Sequence, residues 1–283
     1  MKTGLIVEGG GMKCAYTAAI LDGFLDDHIN FDDCYGVSAG AACVASFLGR
    51  QKDRNRRYFV EHVSDPEYIG LKSFLKTGSL FGLEYIYGDT TASTGKDPLD
   101  YPVFASNPAT FTAVATDAVT GEPVYFTKKD VSQDHYKVFM ATCAIPIASK
   151  PIEINGKYYY DGGVSDPLPI AKAMADGCEK FVVVLCRPKD TIRTPQKMQA
   201  LVKWILRKYP MVAKEVCERH IGYNEQLKKI KELEAEGKLF LFAPKESLPV
   251  STYTKDPKIL QNLYDIGVKE YAEEREKFIS FMQ

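Results

Sequence analysis

The sequence predicts an α/β protein: a three-layer α/β/α sandwich around a mainly parallel central sheet, with a C-terminal helical extension. Short apolar runs alternate with segments of helical periodicity along the 283 residues, which is the pattern of strand–helix units. Glycine-rich turns join strand to helix in the first two of these units. Residues 181–186 form a continuous apolar run, typical of a parallel strand that is covered on both faces.

The composition excludes several classes of protein. A formal net charge of −1 gives no electrostatic basis for nucleic acid as a partner. No apolar run approaches the ~20 residues of a membrane-spanning helix. The chain enters a strand-like run at once, so we expect no secretory signal peptide. Seven cysteines without a Cys-x-x-Cys pair favour buried thiols in a reducing cytoplasm, and no metal-ligand spacing occurs.

The first unit consists of a strand, a glycine turn and a helix. Residues 4–8 are strand-like, and residues 15–25 carry apolar side chains at helical spacing. The turn between them reads Gly9-Gly10-Gly11-Met12-Lys13-Cys14. Successive backbone N–H groups in such a turn point toward an anion.

This turn has three interpretations. It resembles the phosphate loop of a dinucleotide-binding fold, but Cys14 stands where that motif has its third glycine. It also fits an oxyanion hole made by the N–H groups of Gly10, Gly11 and Met12. A turn chosen only for close packing is the third. We favour the oxyanion hole because a nucleophile motif lies in the next unit.

That motif is a Gly-x-Ser-x-Gly pattern at residues 36–40. Such a pattern is typical of a nucleophile elbow, in which a serine lies on a tight strand-to-helix turn. Gly36 and Gly40 would let strand and helix approach closely, and Ser38 would lie at the N-terminus of a buried helix. For this pattern taken alone, a glycine turn with an N-capping serine is the more common explanation.

The next hundred residues carry weaker signals. Basic residues at 50–57 indicate a solvated helix face, and a weaker alternative is attraction to anionic lipid head groups. Residues 64–102 read as an irregular lid, as the wall of an acyl pocket or as a packed loop. Strands are predicted at 111–118 and 123–127, and a helix at 136–145.

A second hairpin leads directly to a carboxylate. Residues 152–154 and 157–160 flank Asn155-Gly156, a dipeptide that favours a tight primed turn. The second strand runs into Asp161-Gly162-Gly163. A carboxylate at a strand end is well placed in a site, although a turn-forming aspartate is the simpler interpretation of this motif alone.

The remaining residues predict a mostly helical extension. Helices are expected at 167–175 and 195–236, a strand at 239–242, and a final helix that opens at Asp256-Pro257. We therefore divide the chain into a catalytic domain over residues 1–190 and an extension over residues 191–283 that packs on it.

A catalytic serine needs a proton acceptor, and no histidine suits that role. His28 precedes the elbow, while His62, His135 and His220 all lie in charged or polar stretches. Only His220 is late enough for the chain order Ser…Asp/Glu…His. We therefore expect a carboxylate to act as the base, supported by geometry and by strong oxyanion stabilisation.

Taken together, three ordered motifs resemble the patatin-like phospholipase family. They are Gly9-Gly10-Gly11-Met12-Lys13, Gly36-Val37-Ser38-Ala39-Gly40 and Asp161-Gly162-Gly163. The stretches at 116–121 and 141–146 also resemble family segments, and the resemblance covers about residues 4–187. Cys14 departs from the family's usual glycine, and Asp166 stands where asparagine is expected.

The resemblance implies a serine acyl hydrolase that acts on lipid esters through a Ser–Asp dyad, without a metal or other cofactor. Ser38 would attack the ester carbonyl and Asp161 would accept its proton. The oxyanion would be held by the backbone N–H groups of Gly10, Gly11, Met12 and Ala39. The residues that support these motifs are Gly9, Lys13, Gly36, Gly40, Gly162 and Gly163. Such an enzyme is expected in the cytoplasm, with peripheral contact at membranes.

Two other classes stay open from the sequence. One is a catalytically weak or inactive protein of the same fold with a regulatory or lipid-binding role, in which Cys14 distorts the glycine loop. The other is a nucleotide-binding protein that uses the same loop for phosphate.

Overall fold

The computed structural model describes residues 1–247 and 249–283 and contains one eight-stranded sheet. The strand order is β5-β6-β3-β2-β1-β7-β8, and β4 also pairs with β3. The strands are β1 Thr3–Val7, β2 Asp33–Val37, β3 Thr110–Asp117, β4 Pro123–Thr127, β5 Ile152–Ile154, β6 Lys157–Asp161, β7 Lys180–Val184 and β8 Leu239–Phe242. Strands β3, β2, β1, β7 and β8 pair in parallel, and the two predicted hairpins add antiparallel strands, which confirms a mainly parallel sheet.

Helices cover both faces of this sheet. Their bounds are α1 Ala15–Asp26, α2 Ala39–Leu48, α3 Arg54–Arg56, α4 Leu71–Thr77, α5 Tyr101–Ser106, α6 Lys137–Thr142, α7 Ile170–Ala175, α8 Gln199–Ile205, α9 Pro210–Ala235 and α10 Pro257–Met282. Alternate residues of β1 divide the core: Leu5 and Val7 pack with α1, α2 and α10, whereas Ile6 packs with α7 and α9. The predicted three-layer α/β/α sandwich is confirmed.

The C-terminal residues join the same sheet and core. Strand β8 pairs in parallel with β7 at the sheet edge, at the position where the sequence predicts a strand. Helix α10 packs along α1, and a Cβ at Gly267 would lie 2.7 Å from the Cβ of Ala19. The hydroxyl of Tyr264 donates to buried Asp22 at 2.9 Å. This close approach fixes the end of the chain to the first strand–helix unit.

Two expectations from the sequence are wrong. Arg54, placed on a solvated face, is only 4 % exposed and donates to Ser46, Tyr58 and the Asp97 carbonyl. Buried charge is stable only when it is bonded in this way, which sequence periodicity does not reveal. The helix expected over 195–236 is split before Pro210, because proline begins a helix but cannot continue one.

Candidate active site

Ser38 lies on the predicted strand-to-helix turn. It connects β2 to α2 with φ 55° and ψ −134°, an uncommon backbone conformation for a residue with a side chain. A Cβ at Gly36 would lie 2.3 Å from the Cα of Ala41, and one at Gly40 would lie 2.7 Å from the carbonyl oxygen of Val7. The turn therefore requires both glycines, and Ser38 lies on the tight strand-to-helix turn that the pattern predicts.

Thr142 holds this strained turn in place. Its hydroxyl accepts a hydrogen bond from the backbone N–H of Ser38 at 2.8 Å and donates to the carbonyl of Val114 on β3. The sequence indicates the surrounding stretch 141–146 only by resemblance, and the structure gives Thr142 a definite role. It ties α6 and β3 to the backbone of the elbow.

Asp161 lies at the end of β6, beside the elbow. The Thr116 hydroxyl donates to its backbone carbonyl at 2.8 Å, and the Gly163 N–H donates to its Oδ1 at 2.7 Å. A Cβ at Gly162 would lie 2.1 Å from the carbonyl oxygen of Val114, so this glycine lets the turn pack against β3. Ser38 and Asp161 line the same cavity.

The electrostatic environment makes Asp161 a stronger base than an ordinary aspartate. Burial raises the pKa of its carboxyl, while the Ser38 hydroxyl, the Gly163 N–H, Arg219 and Arg193 lower it. The balance is a pKa above the ordinary value of 3.8. A raised pKa favours proton transfer from a serine hydroxyl.

The raised pKa makes the base expected from the sequence testable through its pH dependence. If Asp161 accepts the proton of Ser38 in ester hydrolysis, it must be ionised to do so, and kcat/KM is expected to fall as the pH drops through the pKa of Asp161. Because burial raises that pKa, the midpoint of the acid limb should lie above 3.8. A pH profile of kcat/KM, with folding followed by circular dichroism, measures it. A profile that is flat down to pH 3.8 while the protein stays folded would contradict the assignment of the base.

The glycine loop packs directly against the serine. A Cβ at Gly9 would lie 2.6 Å from the Cβ of Ser38. Within residues 1–247 and 249–283, the backbone N–H groups of Gly10, Gly11 and Ala39 have no hydrogen-bond acceptor. Gly10 and Gly11 line the same cavity as Ser38, whereas Ala39 is not among its described lining residues.

The backbone N–H of Met12, unlike those of Gly10 and Gly11, already has a hydrogen-bond acceptor. Its N–H donates to the carbonyl of Thr252 at 3.3 Å. A Cβ at Gly11, which has φ +56°, would lie 2.7 Å from that same carbonyl oxygen. A segment near the C-terminus thus covers one end of the glycine loop, and the Met12 N–H becomes available only when that bond is exchanged.

Cys14 fits the loop. Its φ is −69°, so the position does not need glycine, and its buried thiol donates to the carbonyl of Glu8 at 3.6 Å. Lys13 lines the cavity and is partly exposed. Asp166, at the second departure from the family pattern, accepts from Tyr125 at 2.8 Å and from Gln226 at 2.7 Å. The side chains at both departures therefore have hydrogen-bond partners.

The cavity also contains three arginines that the sequence analysis missed. Arg187, Arg193 and Arg219 join Ser38 and Asp161 around a space of about 200 Å³. Arg187 lies three residues after the end of β7. Ligands of parallel sheets bind at the carboxyl ends of the strands, so its position was a usable signal. Arg193 and Arg219 lie after residue 190, where the sequence analysis found no motif.

Two further findings bear on the candidate site. None of the four histidines lies among the described residues that line this cavity. In the described part of the chain, no helix combines the length and the apolar character needed to cross a bilayer.

Comparison with known proteins places these features in a family. The family model described as patatin-like phospholipase matches residues 5–174. A second model, described as a domain of unknown function, matches residues 209–283.

Individual proteins also match this chain. The uncharacterized protein YjjU of Escherichia coli is 28% identical over 206 residues, which cover 71% of this chain and 56% of that protein. The uncharacterized NTE family protein Rv1063c of Mycobacterium tuberculosis is 39% identical over 64 residues, or 23% of this chain and 17% of that protein. The chain thus matches about half or less of the length of these relatives. The structure of VipD from Legionella pneumophila aligns with a TM-score of 0.48 and 13% identity, covering 96% of this chain and 66% of that one. With its family model matched over residues 5–174, this chain belongs to the patatin-like phospholipase family.

Proposed function

We propose that the protein is a serine acyl hydrolase that acts on lipid esters through a Ser38–Asp161 dyad. The observation that carries this proposal is the strained elbow, which places Ser38 in one cavity with a buried carboxylate and with Gly10 and Gly11, whose N–H groups have no acceptor among the described residues. Strain of this kind persists where the surrounding structure enforces it, and it clusters at active sites. We further propose that residues 1–190 carry the chemistry and that residues 191–283 form an extension that completes the pocket.

The first half of the reaction forms an acyl-enzyme. The Ser38 oxygen attacks the ester carbonyl while its proton moves to the Asp161 carboxylate. The carbonyl electron pair moves onto oxygen, and the N–H groups of Gly10, Gly11 and Ala39 stabilise this oxyanion. When the intermediate collapses, the bond to the alcohol breaks and Asp161 gives its proton to the leaving alkoxide.

The second half uses the same groups in reverse. Asp161 removes a proton from a water molecule, and the resulting hydroxide attacks the acyl carbonyl. The Ser38–acyl bond then breaks, and the proton on Asp161 returns to the serine oxygen. The products are a fatty acid and an alcohol, and the enzyme returns to its starting state.

The cavity mouth has features that suit a lipid surface. Exposed apolar side chains lie on α4 and on two segments that border the cavity, namely Leu71, Phe74, Leu75, Ile147 and Tyr253. We call these residues the mouth patch. The Leu80 N–H donates to the Ala148 carbonyl at 2.7 Å, which joins the α4 region to the segment after Pro146 on the cavity wall. Exposed lysines lie beside these apolar residues, at Lys72, Lys76, Lys150 and Lys255.

We propose that the mouth patch contacts anionic membrane surfaces peripherally, with the protein itself in the cytoplasm. Apolar side chains with flanking lysines favour binding to an interface that carries negative charge. The double substitution Leu71→Gln/Leu75→Gln should weaken binding to phosphatidylserine-containing vesicles about tenfold or more, because two apolar side chains no longer enter the interface. Vesicle sedimentation measures this change.

Val119→Gln is the matched control for that experiment. Val119 is 71 % exposed, as is Leu71, but it lies on the turn between β3 and β4, outside the mouth patch. Hydrolysis of a water-soluble short-chain ester should stay unchanged in all these variants. Equal vesicle binding by the control and the double variant would contradict the membrane assignment.

One observation favours a second candidate, a catalytically weak or inactive protein of this fold. The Thr252 carbonyl occupies the Met12 N–H, which removes one of the four predicted oxyanion donors. Labelling with a fluorophosphonate separates the two candidates. Wild-type labelling that disappears in Ser38→Ala supports the hydrolase, whereas a folded wild type that remains unlabelled supports the inactive protein.

A further inference from the structure

Basic side chains dominate the candidate active-site cavity. Among the described lining residues, four are basic, namely Lys13, Arg187, Arg193 and Arg219, and the base Asp161 is the one carboxylate. Glu8 lies behind the cavity and neutralises Arg187, with 2.8 Å between its Oε1 and the arginine Nε. Its distance to Arg193 is longer, at 3.6 Å. The cavity that contains Ser38 and Asp161 therefore carries more positive charge than the proposed reaction uses.

Arg219 is the least satisfied of these cations. Its Nε is buried without a hydrogen-bond partner, and no carboxylate lies within 4.0 Å of its guanidinium in the described part of the chain. Burial and the neighbouring Arg193 lower the pKa of Arg219 to about 10, so it stays charged at neutral pH. A charge removed from water without a partner is unfavourable, and an anionic ligand would relieve that cost.

Helix α9 orients both arginines of the extension. The Arg193 guanidinium lies 4.1 Å from the centre of the Tyr223 ring. The side-chain amide of Asn224 accepts from the Arg193 N–H and donates to its carbonyl, both at 2.9 Å. Arg219 lies one helical turn before Tyr223 on the same helix. This arrangement is preorganised and does not depend on flexible surface side chains.

We propose that Arg193 and Arg219 form a subsite for an unsubstituted phosphate group on the acyl substrate. The planar guanidinium forks of two arginines match the several oxygens of a phosphate. A choline or ethanolamine group has no evident partner, because Tyr253 is the one aromatic and Asp161 the one carboxylate among the described lining residues. A cavity of about 200 Å³ also suits a compact group. This inference rests on the acyl-hydrolase function proposed above for the same cavity.

Binding to an inactive variant tests the subsite independently of catalysis. Calorimetry with Ser38→Ala compares three ether lipids of one chain length: an alkylglycerol phosphate, an alkylglycerophosphocholine and an alkylglycerol. We expect the first to bind at least about tenfold more tightly than the other two, and Arg219→Gln in the same background to remove that preference. Equal affinities for all three would overturn the proposal, as would tighter binding of the phosphocholine.

Inorganic phosphate is a separate probe of the same variant. If it binds as tightly as the alkylglycerol phosphate, a free phosphate is the preferred occupant and the assignment to an acyl substrate is overturned.

Kinetics distinguishes a phosphate subsite from a purely electrostatic role of Arg219. Removing its charge raises the pKa of Asp161, so Arg219→Gln should move the acid limb to higher pH with every substrate. The second readout is the ratio of kcat/KM for an acylglycerol phosphate to kcat/KM for the matching acylglycerol. If Arg219 binds the phosphate, Arg219→Gln should also lower this ratio by about tenfold or more. Arg219→Lys should leave the acid limb in place, and Arg207→Gln, an exposed arginine outside the cavity, should leave both readouts unchanged. If Arg219→Gln shifts the acid limb but leaves the ratio unchanged, the phosphate subsite is wrong and the hydrolase function is unaffected. If the wild type turns over neither substrate, the result counts against the hydrolase function, and the calorimetry alone tests the subsite.

Discussion

Ser38→Ala is expected to lower kcat/KM for p-nitrophenyl acyl esters by about 10⁴-fold or more, because it removes the hydroxyl that we propose as the nucleophile. The substitution removes one oxygen and leaves the N–H of residue 38 bonded to the Thr142 hydroxyl. The melting temperature should therefore stay close to that of the wild type. Initial rates over a series of acyl chain lengths measure the activity, and the trend with length gives the size of the acyl pocket.

Ser46→Ala provides a matched control from the same strand–helix unit. Ser46 is a fully buried serine of α2, and its hydroxyl accepts from the guanidinium of Arg54 at 2.8 Å. Losing that partner should destabilise the fold by about 1–3 kcal/mol. Its hydrolysis should nevertheless match that of the wild type at temperatures where it is folded. If Ser38→Ala retained more than a tenth of the activity, Ser38 would not be the nucleophile.

The serine, the glycine loop and the aspartate could be found in the sequence because each belongs to a short local motif. The elbow depends on Gly36 and Gly40, whose lack of side chains has a direct steric reason. The tight turn between β2 and α2 could therefore be recognised from its two glycines. The hairpin that delivers Asp161 was equally local, since Asn155 and Gly156 both adopt the positive φ of a primed turn.

Apart from Arg187, the rest of the site could not be predicted, because it depends on contacts between distant residues. The bond from the Met12 N–H to the Thr252 carbonyl joins segments 240 positions apart, and no spacing reveals it. Arg219 directly precedes His220 in a charged helical stretch that reads as surface. Only the packing of α9 against the sheet determines that Arg219 faces the cavity. The direction of a charged side chain on a helix is a tertiary property.

Asp161→Asn is expected to lower kcat/KM by about 10²–10⁴-fold, because an amide oxygen cannot take the serine proton. The substitution keeps the shape of the side chain and an oxygen that accepts from the Gly163 N–H. In contrast to the loss of activity, the melting temperature at pH 7 should rise. Burial raises the pKa of Asp161, so its ionised form opposes folding at pH values above that pKa, and a neutral amide removes this opposition.

Asp166→Asn is the matched control for Asp161→Asn, because it removes a buried carboxylate that is not the proposed base. Asp166 is also buried, burial likewise raises its pKa, and it bonds to Tyr125 and Gln226 outside the described cavity lining. Its amide variant should therefore keep full activity. If Asp161→Asn is more stable than the wild type but inactive, the charged form of Asp161 is kept for catalysis and not for stability. If Asp161→Asn were as active as the wild type, the proton would have another acceptor and the dyad would be wrong. If it were inactive but less stable, the carboxylate would have a structural role as well.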